Sequence, residues 1–501
     1  MSTPDGFLLV LMLTAPVVGL LIAFVLGGRN AERVALLTMP VGLIIAVTIA
    51  VALWRSDAAL VYVLGGWAPP LGIVLRADGL SAAMLVTVAV VICATGLFAR
   101  AEFRTPEAAS EARAPFSFWI LLLSVWAAMN MVFLGGDLFN LYVALELLTF
   151  AAVPLVCLDG RAETFRAALR YLVFALFGSL LYLLGVALLY GAYGTLDIAM
   201  LAAVVRPEPV TWVAGALMTV GLLAKTALFP LHLWLPPAHA GAPAPASAVL
   251  SALVVKGSFF ILVRLWFDVM PAVPGEAGAQ LLGALGAAAI LVSSVVALRQ
   301  ARLKLLIAYS TLAQIGYLFL MFPLAFDPGS GQLVSGVALT GGMLQAISHA
   351  TAKAAMFMTA GLMYQALGHD RIAELGGVAR ALPMTVFAFG LAGVSLIGLP
   401  PSGGFLAKWL LLTAAVGGGQ WWWVAVILIG GLLSAGYIFK VLALAVGAPS
   451  VPLTLRAPVP RHREAIALVL ALLSVLLGLV ALGPIDLLQI ARPGLALVHS
   501  Q

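Results

Sequence analysis

Apolar residues in this chain neither alternate nor keep to one helical face; they run on for about twenty residues at a time between short polar loops. Each run has the length an α-helix needs to cross a hydrocarbon layer of roughly 30 Å at about 1.5 Å per residue. The pattern predicts an all-α, polytopic membrane protein of about 14 transmembrane helices. They are expected at 7–27, 34–54, 80–99, 115–134, 137–157, 165–190, 211–229 with a broken continuation, 246–270, 278–298, 305–322, 334–366, 382–417 with a break, 422–445 and 464–482. The residues before the first run carry Asp5 and no Lys or Arg, so this segment is expected to remain a helix and not to act as a cleaved leader.

Two spans, helices 7 and 12, are expected to be discontinuous. The first runs into Pro230, Pro236, Pro237, Pro243 and Pro245, and the second is interrupted by Pro400, Pro401, Gly403 and Gly404. Proline removes a backbone donor and clashes with the preceding turn, and the carbonyls it frees must face protein or water, because lipid offers them no partner. A lysine flanks each break, Lys225 before the first and Lys408 after the second. This pairing predicts a single membrane domain, 1–501, built on two five-helix repeats, 114–270 and 278–445, with 1–113 and 446–501 as flanking helices. An odd number of spans per unit inverts the second copy, and matching interruptions in inverted repeats mark a transport site near the membrane midplane. The competing reading is that the prolines only kink two helices for packing.

Composition agrees with a membrane chain, since 63% of the 501 residues are hydrophobic and 9% charged, against roughly 25% charged in a soluble domain. Sixteen Lys and Arg residues, Lys304 among them, fall in alternate loops on one side, and only Arg55, Arg76, Arg206 and Arg492 on the other. The positive-inside rule makes the first side cytoplasmic and puts both termini on the non-cytoplasmic side. The net charge of +6 is therefore a topology signal, and with no basic patch interleaved with aromatics no nucleic-acid partner is expected. Cys93 and Cys157 lie in different spans and form no CxxC pair, which speaks against an iron–sulfur cluster or a structural zinc. The glycine pairs at 65–66, 135–136 and 403–404 lack the strand–helix context of a nucleotide-binding loop. No metal, no cofactor and no catalytic redox centre is expected in this chain.

The remaining basic residues carry the functional argument. Lys225, Lys256, Arg264, Lys353, Lys408 and Lys440 lie within the apolar runs, with Glu146 as the central carboxylate and Asp137 as the other acid near a span, at its edge. A charge at the bilayer centre costs about 2.5–3.5 kcal/mol on insertion scales, so the four deepest lysines cost roughly 10–14 kcal/mol if charged. Glu146 and Lys225 are expected to form an ion pair that acts as a switch: apart, the lysine is desolvated and gives up its proton. A static structural pair is the alternative. Lys256 is a candidate relay site, with Gly257 and Ser258 expected to leave room for water. His349 and Lys353, four residues apart, share a helical face where an imidazole can hand protons between lysines. Lys408 is the expected terminal site. Arg264 and Lys440 lie near span ends and are expected to snorkel. His232 and His239, with Pro230 and Pro400 at the breaks, are candidate uptake or gating positions; the two histidines can equally serve to hydrogen-bond freed carbonyls. Trp421, Trp422 and Trp423 read as an interfacial belt.

The segments GGDLFNLYVALELLTF (135–150), KTALFPLHLWLPPAHAGAPAPASAVLSALVVKG (225–257), LKLLIAYSTLAQIGYL (303–318), SHATAKAAMFMTAG (348–361) and GLPPSGGFLAKW (398–409) carry a resemblance that covers nearly the whole chain. The sequence resembles the antiporter-like membrane subunits shared by Mrp-type sodium/proton antiporters, respiratory complex I and membrane-bound hydrogenases. GGWAPPLGIVLRADGLSA (65–82) and GDLFNLYV look like the D-type subunit of Mrp antiporters, whereas WLPPAHAGAPAPASA is closer to complex I and hydrogenase subunits, with Pro237 where many of those carry an acidic residue. The resemblance implies that Glu146 and Lys225 are the switching pair, that Lys256, His349 and Lys353 are relay positions, and that Lys408 is terminal. It implies a proton-translocating subunit of a multisubunit cation/proton antiporter, with protons and Na+ or another cation as substrates, other membrane subunits as partners and a bacterial inner membrane as location. The alternative is a proton-pumping subunit of a redox-driven complex I-like or hydrogenase assembly. The sequence runs about nineteen residues past the last span, so the long lateral helix of the longest subunit type is not expected.

Overall fold

Helix starts follow local chemistry. The side chains of Asp78, Asp137, Asp197 and Ser402 accept hydrogen bonds from backbone N–H groups of the first turn that follows each of them, the ordinary way to satisfy donors left free at a helix start. The computed structural model describes residues 2–106, 109, 111–271, 273, 275–326, 336–448, 454–480 and 482–491; Arg492 and the first two residues of the predicted span 334–366 lie outside them.

Among the described residues there are 19 helices. They are α1 (Phe7–Leu26), α2 (Gly28–Ser56), α3 (Gly79–Ala99), α4 (Arg113–Leu134), α5 (Leu138–Val156), α6 (Ala162–Tyr193), α7 (Ile198–Val204), α8 (Pro209–Thr226), α9 (Leu235–Gly241) and α10 (Ala244–Val269). There follow α11 (Gly275–Leu298), α12 (Leu303–Ala325), α13 (Gly336–Leu367), α14 (Val378–Ala381), α15 (Pro383–Ile397), α16 (Gly403–Gly417), α17 (Trp421–Val446), α18 (Arg461–Leu479) and α19 (Leu482–Gln489). Every predicted span is met by one helix or, at the two breaks, by a pair: α8 with α9, and α15 with α16. One departure from all-α is a small antiparallel hairpin, β1 (Leu60–Val63) on β2 (Val74–Ala77), with Leu60 opposite Ala77.

Among the described residues twelve helices are long and apolar enough to cross a membrane. The 32-residue α13 is not among them, because Gln345, Ser348, His349, Thr351 and Lys353 dilute its hydropathy. It stands instead in the interior with α10 and α12, walled from lipid by the other helices; α1 and α2 lie at the edge. Close approach is set by reciprocal glycines. A Cβ on Gly178 of α6 would sit 2.6 Å from the Gly221 carbonyl of α8, and one on Gly221 2.3 Å from the Gly178 carbonyl, the small-residue contact that lets membrane helices pack by dispersion alone.

Both breaks end a helix in the left-handed conformation, Ala227 with φ 59° after α8 and Gly398 with φ 87° after α15. Helix α10 is itself irregular, widening into π-turns at Leu250–Val254 and Leu265–Val269. Such turns leave a carbonyl without its usual helical donor and recur at functional sites.

Candidate functional site

The first break builds the Lys225 site. Lys225 lies in the last turn of α8, where its ammonium donates to Thr149 Oγ1 at 2.8 Å, to Glu146 Oε1 at 3.2 Å and to the Leu145 carbonyl at 3.4 Å. The Ser179 hydroxyl of α6 also donates to Glu146. The lysine is buried, while the Glu146 side chain keeps 16% exposure, so the acid has the freer side. Against them lies a cavity of about 10 Å³ lined in part by Thr149, Tyr171, Lys225 and Ser258, near the lower limit for one water. Ser258 accepts from Thr226 at 2.8 Å and so joins this site to α10.

Lys256, on α10, turns the other way. Its ammonium donates to the Ser251 carbonyl at 2.5 Å, within the π-turn, and the Ser251 hydroxyl meets Thr311 of α12 at 2.9 Å. The expected space beside Gly257 is not there, because a Cβ on that residue would meet Leu148 and Met129 at 3.2 and 3.3 Å; the room is at Ser258, on the Lys225 side. On α13, Lys353 donates to the Ile307 carbonyl at 3.1 Å and to the Ser310 hydroxyl. His349 is buried within electrostatic reach of Lys256, Lys353 and Lys408, and neither of its ring nitrogens has a hydrogen-bond partner among the described residues.

The second break builds the Lys408 site. The Lys408 ammonium donates to the Leu396 and Ile397 carbonyls, at 2.8 and 3.0 Å, and lies 4.1 Å from the centroid of the Tyr317 ring. A polar string connects it to Lys353. Ser310 and Ser434 both face the Tyr437 hydroxyl, Gln314 donates to the Leu396 carbonyl at 3.0 Å, and Gln345 donates to Gln314 at 2.8 Å. Sequence reasoning missed these neutral members; their signal was the presence of Ser, Thr and Gln inside apolar runs. Among the described residues no carboxylate reaches Lys256, Lys353 or Lys408.

The other candidates divide. His239 is buried, stacked on Phe357 at 4.8 Å, in reach of Lys256 and Lys353, with Nδ1 unpartnered. His232 is half-buried, stacked on Phe229 at 5.3 Å, in the turn that holds Pro230, and Pro400 is exposed. Lys440 donates to the Leu298 carbonyl from an exposed position. Arg264 does not snorkel. It binds both oxygens of the buried Asp78, at 2.5 and 2.7 Å, and Asp268 at 2.9 Å, so the interior holds carboxylates besides Glu146, two of them sharing one guanidinium. Lys304 is no loop residue either, since it is buried and donates to the Ala242 carbonyl at 3.0 Å. Trp421 and Trp422 are exposed as a belt requires, but Trp423 is buried and donates to Gln420 at 2.9 Å.

With this geometry the chain can be set beside known proteins. Residues 135–434 match the family described as NADH:quinone oxidoreductase/Mrp antiporter, TM. The chain is 37% identical over 424 residues to the N-type subunit of the NADH-quinone oxidoreductase of Desulforudis audaxviator, covering 83% of this chain and 81% of that one. It is 30% identical over 408 residues to the D-type subunit of the Na(+)/H(+) antiporter of Alkalihalophilus pseudofirmus, covering 81% and 76%. Its fold superposes on a chain of the Mrp complex from Dietzia sp. DQ12-45-1b with a TM-score of 0.83 at 26% identity, over 97% of this chain and 98% of that one. The match takes in both breaks and the helices from α5 into α17, and the chain is a multi-pass membrane protein that belongs to the NADH:quinone oxidoreductase/Mrp antiporter family.

Proposed function

We propose that this chain is the proton-translocating subunit of a multisubunit Mrp-type cation/proton antiporter, moving H+ along Glu146, Lys225, Lys256, His349, Lys353 and Lys408. One observation carries the reading: four lysines and a histidine are buried along one line of helices, and among the described residues Glu146 is the one carboxylate paired with any of them. A fold kept only for stability gains nothing from such groups, since each uncompensated charge at membrane depth costs about 2.5–3.5 kcal/mol. A row of bases that take and release protons in turn needs never to be fully charged.

Glu146 holds Lys225 protonated while they touch; when the acid swings toward its freer side, the ammonium sheds its proton through the cavity toward Ser258 and α10. His349 has free nitrogens to accept and donate between Lys256, Lys353 and Lys408. His232, His239, Pro230 and Pro400 mark where the breaks admit or gate the proton. The halves 114–270 and 278–445 act as inverted repeats, and the positive-inside rule sets the Arg-rich loops in the cytoplasm and both termini outside a bacterial inner membrane. Replacing Lys225 by Ala, with co-purification of the partner subunits confirmed, is expected to abolish proton translocation in vesicles; wild-type transport would overturn the proposal.

A second reading has its own support, since the identity to an NADH-quinone oxidoreductase subunit, 37%, exceeds that to the antiporter subunit, 30%. Here the same relay serves a complex I-like or hydrogenase assembly, powered by electron transfer in partner subunits. Iron–sulfur absorption in the purified assembly would select this reading, and cation-dependent proton exchange without it would select the first.

A further inference from the structure

Lys304 is unassigned by the relay. It stands in the first turn of α12, at the Arg-rich end of the molecule, yet is buried. Its ammonium donates to the Ala242 carbonyl at 3.0 Å, at the end of α9, less than one turn beyond His239. The Tyr364 ring of α13 lies 5.4 Å from it. On its outer side Asp370 accepts from Arg302 at 3.0 Å and from the Lys304 backbone N–H at 3.4 Å. Glu102, Asp370, Arg302 and Arg161 are the charged side chains that face Lys304, and the Arg302 and Glu102 side chains are open to solvent. On its inner side His239 is in electrostatic reach of Lys304, Lys256 and Lys353, and its Nδ1 has no partner.

These groups form a file from the surface to the middle of the relay through the half-helix α9, on the other side of the first break from Lys225. We infer that Lys304 is a proton-transfer residue of a second uptake branch, running from Asp370 and Glu102 through Lys304 and His239 to Lys256 and Lys353. In each passage an N–H bond of the Lys304 ammonium breaks and one forms on the His239 imidazole. The neutral amine is reprotonated through the buried Asp370 and the solvent-open Glu102, which reload from water, and the imidazolium returns its proton to a neutral lysine amine, so charge and protons balance. The branch loads the central lysines and the Glu146–Lys225 switch drives their release, so loss of either stops transport; the inference rests on the relay reading above.

The structural alternative is that Lys304 only ties α9 to α12 through the Ala242 carbonyl. Two substitutions separate these roles. Arg keeps the charge and a donor but holds its proton throughout the physiological range, and Gln keeps a donor without a titratable proton. In the assembled complex reconstituted into liposomes, K304R and K304Q are each expected to cut proton uptake from the Arg-rich face by about tenfold or more, the low end of what a positioned proton-transfer group supplies. The loss should shrink as the pH on that face is lowered. Should both variants assemble and transport as wild type while Lys225→Ala is inactive, the second branch is refuted and the relay stands. If Lys225→Ala is active as well, the relay reading fails and this inference with it. A loss in K304Q that K304R restores would assign Lys304 to charge or packing alone and overturn the inference.

Discussion

The two broken helices hold their lysines in opposite ways. At the first break the Lys225 ammonium is shared between a hydroxyl, a carbonyl and Glu146, a carboxylate on another helix with 16% of its side chain exposed. At the second, Lys408 sits on the terminal carbonyls of α15, the other half of its own broken helix, and over the Tyr317 ring. A carboxylate on a neighbouring helix can move away. The end of a half-helix, carrying about half a negative charge from its aligned peptides, cannot leave without refolding the break. On the proposed reading the first site works as a switch and the second as a fixed station, although proline-rich breaks produce both.

The largest expected effect tests the fixed station. Lys408→Gln keeps donors for the Leu396 and Ile397 carbonyls but carries no titratable proton, so the complex should assemble while proton flux in vesicles falls by about a hundredfold. Normal flux would reduce Lys408 to a cap. Next in size is a third way of holding a buried cation, Arg264 set between the carboxylates of Asp78 and Asp268. Arg264→Met leaves Asp78 and Asp268 unpaired and is expected to cost about 3–5 kcal/mol, read as a lower thermal midpoint, with unchanged flux per assembled complex; a flux defect without destabilisation would make Arg264 part of the path.

The smallest effect lies outside the membrane, where Arg161 ties the Gly241 carbonyl of α9, 3.1 Å away, to Asp159 beside the first break. Burial raises the Asp159 carboxyl, but hydrogen bonds from Thr164 and Arg161 and the Arg161 charge outweigh it and hold the group below its ordinary value. A lowered folded value contributes stability above the unfolded value of about 3.9 that is lost as pH falls through the folded one. Asp159→Asn should therefore lower the thermal midpoint slightly near neutral pH and leave it unchanged in strong acid. An equal shift at both would mean that the charge is not what matters.

Much of the site was legible because deep lysines are conspicuous in an apolar run: Lys225, Lys256, His349, Lys353 and Lys408 all turn inward, as expected. Less legible was what holds them. Thr149, Ser179, Ser310, Gln314 and Tyr437 are residues any membrane helix tolerates, and nothing local marks them as partners of a particular lysine. Arg264 was misread for the same reason, since its partner Asp78 is 186 residues away. Lys304 followed a polar loop in sequence but is covered by α9 and α13, which the local pattern does not see.

Hydropathy summed over a window of one helix decides whether that segment leaves water, so the sequence by itself determined the spans, the proline breaks and the presence of costly charges inside them. The partner of each charge comes from another helix, and only the tertiary structure decided whether an ammonium meets a carboxylate, a hydroxyl or the open end of a half-helix. The reason is range: burial of a segment is a sum over neighbours in the chain, whereas a hydrogen bond of about 3 Å depends on where distant turns come to rest.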